Sequence, residues 1–181
     1  MTNLIEAWRA DHSYFARLLA LLRRQVDDFQ SDKEPNYDLM LEIISYLRDY
    51  SDQVHHPCED VAFARMANHC PEMELELSRL AQEHRVIAQA GETLRRLLDA
   101  VLGDTLVPKA DIEAATATYL VYYGRHIAKE DEIVLPRADQ VLTPEDWVAV
   151  RNAMPRVRDP LGAEGSDEHY RILRRHIAQE S

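Results

Sequence analysis

Apolar residues recur at helical spacing along most of this chain. From about Leu4 to Phe29, the positions Ile5, Trp8, His12, Phe15, Leu19, Leu22, Val26 and Phe29 step by three and four residues without a break. That is the seam of an amphipathic helix in a bundle. The polar residues Gln30 to Asn36 make a loop, with Asn36 placed to cap the next helix. A second helix runs from about Tyr37 to Met66, with Met40, Ile43, Ile44, Leu47, Val54, Cys58, Val61 and Ala62 on its buried side. Asn68 to Glu72 interrupts the pattern, and Pro71 suits a first helical turn. The third seam holds Met73, Leu77, Leu80, His84, Ile87, Gly91, Leu94, Leu98 and Val101, and Gly103-Asp104 closes it. The fourth helix runs from about Lys109 to Leu135, with Ile112, Ala115, Tyr119, Tyr122, His126, Glu130 and Ile133 on its seam and Pro136 ending it. Thr143-Pro144-Glu145-Asp146-Trp147 opens a short helix with a capping threonine and an acidic first turn. Pro155 to Ser166 reads as loop and Asp167 to Glu180 as a terminal helix.

Short loops between long helices make neighbours antiparallel. The expected fold is therefore all-α: an up-down-up-down four-helix bundle over residues 1–136, with a C-terminal helical extension over 137–181 packed on or beside it.

Some seam positions are not apolar. His12, His84 and His126 occupy core positions, and Glu130 follows His126 at i+4, on the same helical face. His55 and Glu59 repeat that spacing. His56 and Asp60 are also four apart, so two registers compete; the apolar stripe favours His55 and Glu59 facing inward, Glu59 nearer the edge. Pro57 removes a backbone donor and tends to kink a helix, which leaves the facing angle of Glu59 open.

In an antiparallel arrangement His12, His55, His84 and His126 lie about 8–11 residues from the same end of the bundle, roughly 12–17 Å at the helical rise. Imidazoles and carboxylates buried at one level are costly unless they share a cation. Imidazole and carboxylate without thiolate suit iron, manganese or zinc. The Glu-x-x-His order of ferritin-like bundles is absent.

Charge and composition narrow the setting. The 181 residues favour one domain with a sizeable core. A net charge of −11 argues against nucleic acid and anionic membrane surfaces as partners. Two cysteines make no disulfide framework, no apolar run is long enough to span a membrane, and the N-terminus lacks a leader pattern, so a cytoplasmic setting is expected. The sequence leaves the oligomeric state open, a homodimer included.

His12, His55-x-x-x-Glu59, His84 and His126-x-x-x-Glu130, with Leu135-Pro136 after the last pair, resemble the hemerythrin-like (HHE cation-binding) family over roughly residues 4–136. The resemblance implies a four-helix bundle around two iron ions, bridged by two carboxylates and an oxo or hydroxo species. It implies His12, His55, His84 and His126 as terminal metal ligands and Glu59 and Glu130 as bridges. Two departures stand out. Oxygen-carrying hemerythrins have a second third-helix histidine four residues after the first, where this chain has Ala88. They also place an aspartate five residues after the fourth-helix histidine; Asp131 stands there, but Glu130 fits the seam. The missing histidine leaves one metal with an open position, or asks His56 to fill it.

An open position favours reactivity toward oxygen, peroxide or nitric oxide over reversible oxygen binding and delivery. Iron storage or donation for iron–sulfur cluster repair and a purely structural role are the competing readings. Tyr119, Tyr122, Tyr123 and Trp8 read as core packing, Cys58 as a buried inert thiol, and His69, His169 and His176 as surface residues.

Overall fold

The computed structural model describes residues 4–31, 33–154, 159, 161 and 170–179. Among these every regular element is helical. The helices are α1 (Leu4–Gln30), α2 (Tyr37–Tyr46), α3 (His56–His69), α4 (Glu74–Leu102), α5 (Lys109–Lys129), α6 (Leu135–Val141), α7 (Pro144–Ala153) and α8 (Arg171–Gln179). Two π-helical segments, Leu47–His55 and Glu130–Val134, join α2 to α3 and α5 to α6 without a break, and a 3-10 turn (Pro71–Met73) leads into α4. None of the described helices is long and apolar enough to cross a membrane. The reading of a loop over 155–166 and of a helix start at Asp167, with His169, lies largely outside the described residues.

The local signals explain the helix ends. The Asn36 side chain accepts from the Leu39 backbone N–H and starts α2. Gly103 terminates α4, and Asp104 follows in the left-handed region at φ 60. Thr143 and Asp146 form a reciprocal capping box that starts α7.

α1 packs on α5 and α2, and α4 packs on α5, α2 and α3; α7 lies on α3, and α8 on α2. Two apolar clusters result. One holds Phe15, Leu22, Leu47, Ile87, Tyr119 and Tyr123, the other Trp8, Phe63, Leu80, Val134, Ala138 and Val150. Each long helical stretch carries its polar residues between the two: His12 between Trp8 and Phe15, His55 and Glu59 between Leu47 and Phe63, His84 between Leu80 and Ile87, and His126 and Glu130 between Tyr123 and Val134. The order in which successive stretches pass the clusters alternates. A polar layer, buried from bulk solvent, is thus sandwiched between apolar layers.

The α1 seam is buried at every expected position, from Ile5 to Phe29. The fourth stretch departs from expectation. It does not end at Pro136 but continues to Val141. Ile133 and Tyr122 are exposed, and Val134 and Tyr123 are buried in their place. The π segment accounts for Ile133: an i→i+5 bond from Leu135 N–H to Glu130 O inserts one extra residue, which moves the buried phase on by one. Tyr123 follows Tyr119 by four residues rather than three, and both steps are compatible with a period of 3.6.

The two π segments share a second feature. In each, the last i→i+5 bond is donated by the residue just before a proline that cannot donate: His56 N–H to Ser51 O before Pro57, and Leu135 N–H to Glu130 O before Pro136. A proline inside an α-helix also clashes with the carbonyl four residues back. The wider turn takes that carbonyl out of α register, so both helices pass through their prolines.

Candidate metal centre

His12, His55, Glu59, His84, His126 and Glu130 are all buried and converge in the polar layer. Glu59 is fully buried, not at the edge of its face, because the π segment re-phases the residues after it. Its Oε1 lies 3.3 Å from His12 Nε2 and 3.2 Å from His55 Nε2, while its Oε2 lies 3.6 Å from His84 Nε2. Glu130 mirrors this. Its Oε1 lies 3.4 Å from His84 Nε2 and 3.1 Å from His126 Nε2, and its Oε2 lies 3.4 Å from His12 Nε2. Each carboxylate therefore turns one oxygen to each of two histidine pairs.

The second nitrogen of every one of these rings meets an outer carboxylate. His12 Nδ1 lies 3.0 Å from Asp131, His55 Nδ1 3.0 Å from Asp11, His84 Nδ1 2.8 Å from Asp60 and His126 Nδ1 3.2 Å from Glu83. A carboxylate only accepts, so Nδ1 donates and Nε2 is aimed into the layer. Asp131 is thereby placed behind His12 rather than among the inward-facing atoms.

His56 is also buried. Its ring stacks on His84 at 4.1 Å and lies 5.6 Å from His126, on the side of that pair. Its Nε2 is 3.1 Å from Ser51 Oγ, which also bonds the Tyr123 hydroxyl. His55 and His56 can both point inward because they straddle the end of the π segment.

Most of the inward atoms lack hydrogen-bond partners. Both oxygens of Glu59, both oxygens of Glu130, and Nε2 of His84 and His126 are buried without a hydrogen bond. His12 Nε2 and His55 Nε2 face each other at 3.0 Å. Lone pairs buried this way are costly, and a cation is the one class of ligand that all of them can share. Among the described residues two groups can hold one: His12, His55 and Glu59; and His56, Glu59, His84 and His126.

Electrostatics point the same way. Burial works against charge on His55, yet Glu59 and Asp11 push it up to about 10. Burial likewise opposes charge on His84, while Asp60 and Glu130 raise it to about 9. Glu59 is held well below the usual carboxylate range, against its burial, by His55 and His12. Burial and the neighbouring Glu59 oppose ionisation of Glu130, but His126 and His84 still lower it. His56 goes the other way: burial and the nearby His84 keep it neutral. The carboxylates thus draw positive charge into the layer, where protons and metal ions compete for the same nitrogens.

A family model, hemerythrin HHE cation binding domain, matches residues 3–138. The chain belongs to the hemerythrin HHE cation-binding family. It contains a hemerythrin-like domain, which binds metal cations, and its buried histidine and glutamate groups are able to hold metal. Comparison with curated proteins and with solved structures returned no match. Helices α7 and α8 follow the matched hemerythrin-like region.

The outer acids Asp11, Asp60 and Glu83 and the Ser51 hydroxyl escape a reading by apolar pattern, since none lies on a seam. A signal exists nonetheless. Asp11, Asp60, Glu83 and Asp131 each adjoin in sequence a residue that faces the centre. Both described cysteines, Cys58 and Cys70, are free and buried. His69 is exposed and pairs with Asp146, 2.8 Å away.

Proposed function

We propose that this chain is a di-iron protein that reacts with or senses oxygen, peroxide or nitric oxide. The observation that carries the reading is the geometry of Glu59 and Glu130, each with one oxygen toward His12 or His55 and the other toward His84. Two carboxylates so placed suit bridging of two ions. In this reading His12 and His55 are terminal ligands to one iron and His84 and His126 to the other. A bound iron pair would supply redox chemistry toward small oxygen and nitrogen species. The chain's own part is to hold the imidazoles in orientation through Asp11, Asp60, Glu83 and Asp131, and to exclude water between two apolar layers.

The four long helical stretches form, in this reading, an antiparallel up-down-up-down bundle. The alternating order in which they pass the two apolar clusters supports it. Ala88 stands where oxygen carriers have a further histidine, and His56 stacks on His84. His56 belongs to the group on that side able to hold a cation, so it offers a third imidazole beside His84 and His126 where Ala88 offers none; turnover and reversible carriage are told apart by experiment.

The test is the metal content and visible spectrum of protein purified from iron-supplied cells. About two irons per chain and the absorption of a bridged ferric pair are expected. A folded, iron-free protein overturns the reading. Consumption of added peroxide by the ferric protein separates turnover from carriage.

A further inference from the structure

The four contacts behind the histidines run in one rotational order. Asp11 on α1 reaches His55, which follows in the next helical stretch. Asp60 on α3 reaches His84 on α4. Glu83 on α4 reaches His126 on α5. Asp131, in the π segment after α5, reaches back to His12 on α1 and closes the circle. Each acid adjoins a centre-facing residue of its own helix: Asp11 beside His12, Asp60 beside Glu59, Glu83 beside His84, and Asp131 beside Glu130. Adjacent helical residues diverge by about 100°. One side chain of each pair therefore faces the layer while the other reaches across to the neighbouring helix.

We propose that Asp11, Asp60, Glu83 and Asp131 form a closed ring of positioning residues. The ring fixes the orientation of all four imidazoles and, by its charge, favours a trivalent over a divalent pair of metal ions. This rests on the di-iron reading. The four acids are partly exposed, with side chains between 28% and 40% accessible, whereas the four rings they hold are 5% accessible or less. Each acid thus carries charge from the surface to the back of a buried ligand through a charge-assisted bond, and such a bond strengthens the nitrogen on the far side of the ring. With Glu59 and Glu130 the ring supplies six carboxylates, and negative charge gathered around the centre favours the more highly charged ions. Glu83 also bonds Lys129 Nζ at 2.7 Å, so its charge is the one most offset.

The test uses histidine-selective nitrogen-15 labelling of the metal-free full chain, followed by iron titration. Four low-field, exchange-protected Nδ1–H signals are expected, and they persist whether or not Nε2 is protonated. Asp60→Ala should lose the His84 signal and lower ferrous affinity about 10–100-fold. Asp60→Asn keeps an acceptor but removes the charge. It should keep the signal and raise the iron midpoint potential, by about 59 mV for each tenfold of ferric preference lost. Asp11→Ala and Asp131→Ala repeat the test at His55 and His12 if Asp60→Ala fails to fold. Retention of all four Nδ1–H signals in the alanine variants overturns the positioning role, and an unchanged potential in Asp60→Asn overturns the charge role. A chain that takes up no iron defeats the di-iron reading, while the metal-free spectra still decide the ring.

Discussion

Trp147 lies against Trp8 with ring centroids 6.0 Å apart and planes tilted by 54°. Trp8 in turn meets the His55 ring edge-on at 6.4 Å. Trp147 belongs to α7, beyond the matched residues 3–138. A helix added after the family domain therefore touches a residue that itself touches the candidate centre.

Trp147→Ala should remove the cover from Trp8 and from the cluster that holds Val150 and Phe63. A loss of about 2 kcal/mol is expected for a half-buried tryptophan, read by denaturant unfolding. The iron affinity should fall as well, since Trp8 then packs less firmly on His55. Unchanged stability would show that α7 does not anchor this end of the molecule.

Asp146 ties α7 to α3. It accepts from the Thr143 hydroxyl at 2.8 Å, from the Thr143 backbone N–H at 3.1 Å and from His69 Nε2 at 2.8 Å. The Thr143 hydroxyl is the main cause that lowers its carboxyl from 3.8 to about 2. A carboxyl whose folded value is depressed contributes stability above its unfolded value and loses it as the pH falls through the folded one. The α7 contact should accordingly weaken between about pH 4 and pH 2. Asp146→Asn should cost about 1 kcal/mol at neutral pH, as capping contacts do, and should flatten the acid limb of a stability–pH curve.

Pro57→Ala restores a backbone donor just after the π segment Leu47–His55. The freed N–H can bond four residues back, which favours α over π geometry and rotates Glu59 relative to His55. Thermal stability should stay the same or rise, while iron affinity falls by about tenfold, in line with other losses of ligand orientation. Unchanged iron binding would mean that the proline does not hold the π register.

Gly91→Ala places a Cβ 3.0 Å from Tyr119 Cε2, and Tyr119 is 1% exposed. A helix interior ordinarily gains up to about 1 kcal/mol from this change. Here the buried ring cannot withdraw, so a net loss of about 1–2 kcal/mol is expected from overpacking. A rise in Tm would contradict the close packing of α4 on α5.

Much of the fold was legible along the chain. The α1 seam is buried from Ile5 to Phe29, and Asn36, Gly103 and Thr143 end or begin helices where their chemistry implies. These signals are local, since capping and 3.6-residue periodicity act within a turn or two. The inward residues were legible for the same reason: a histidine or glutamate on an apolar seam contradicts its surroundings unless something pairs with it. The exposed Tyr122 and Ile133, the full burial of Glu59 and the passage through Pro136 were not legible. A proline in a helical run signals either an end or a widened turn, and the packing around Pro57 and Pro136 selects the widened turn, which inserts one residue of phase.

Sequence alone determined that this chain is helical, that its seams carry imidazoles and carboxylates at one depth, and that these suit a metal cation. The tertiary structure decided which oxygen of Glu59 and Glu130 faces which histidine pair. It decided that His56 joins the His84 side, and that Asp11, Asp60, Glu83 and Asp131 close a ring behind the four imidazoles. Spacing along one helix fixes a residue's face to within a fraction of a turn, but contacts between helices depend on their relative rotation. That rotation is set by the whole core together, and here also by two π segments that carry the chain through Pro57 and Pro136.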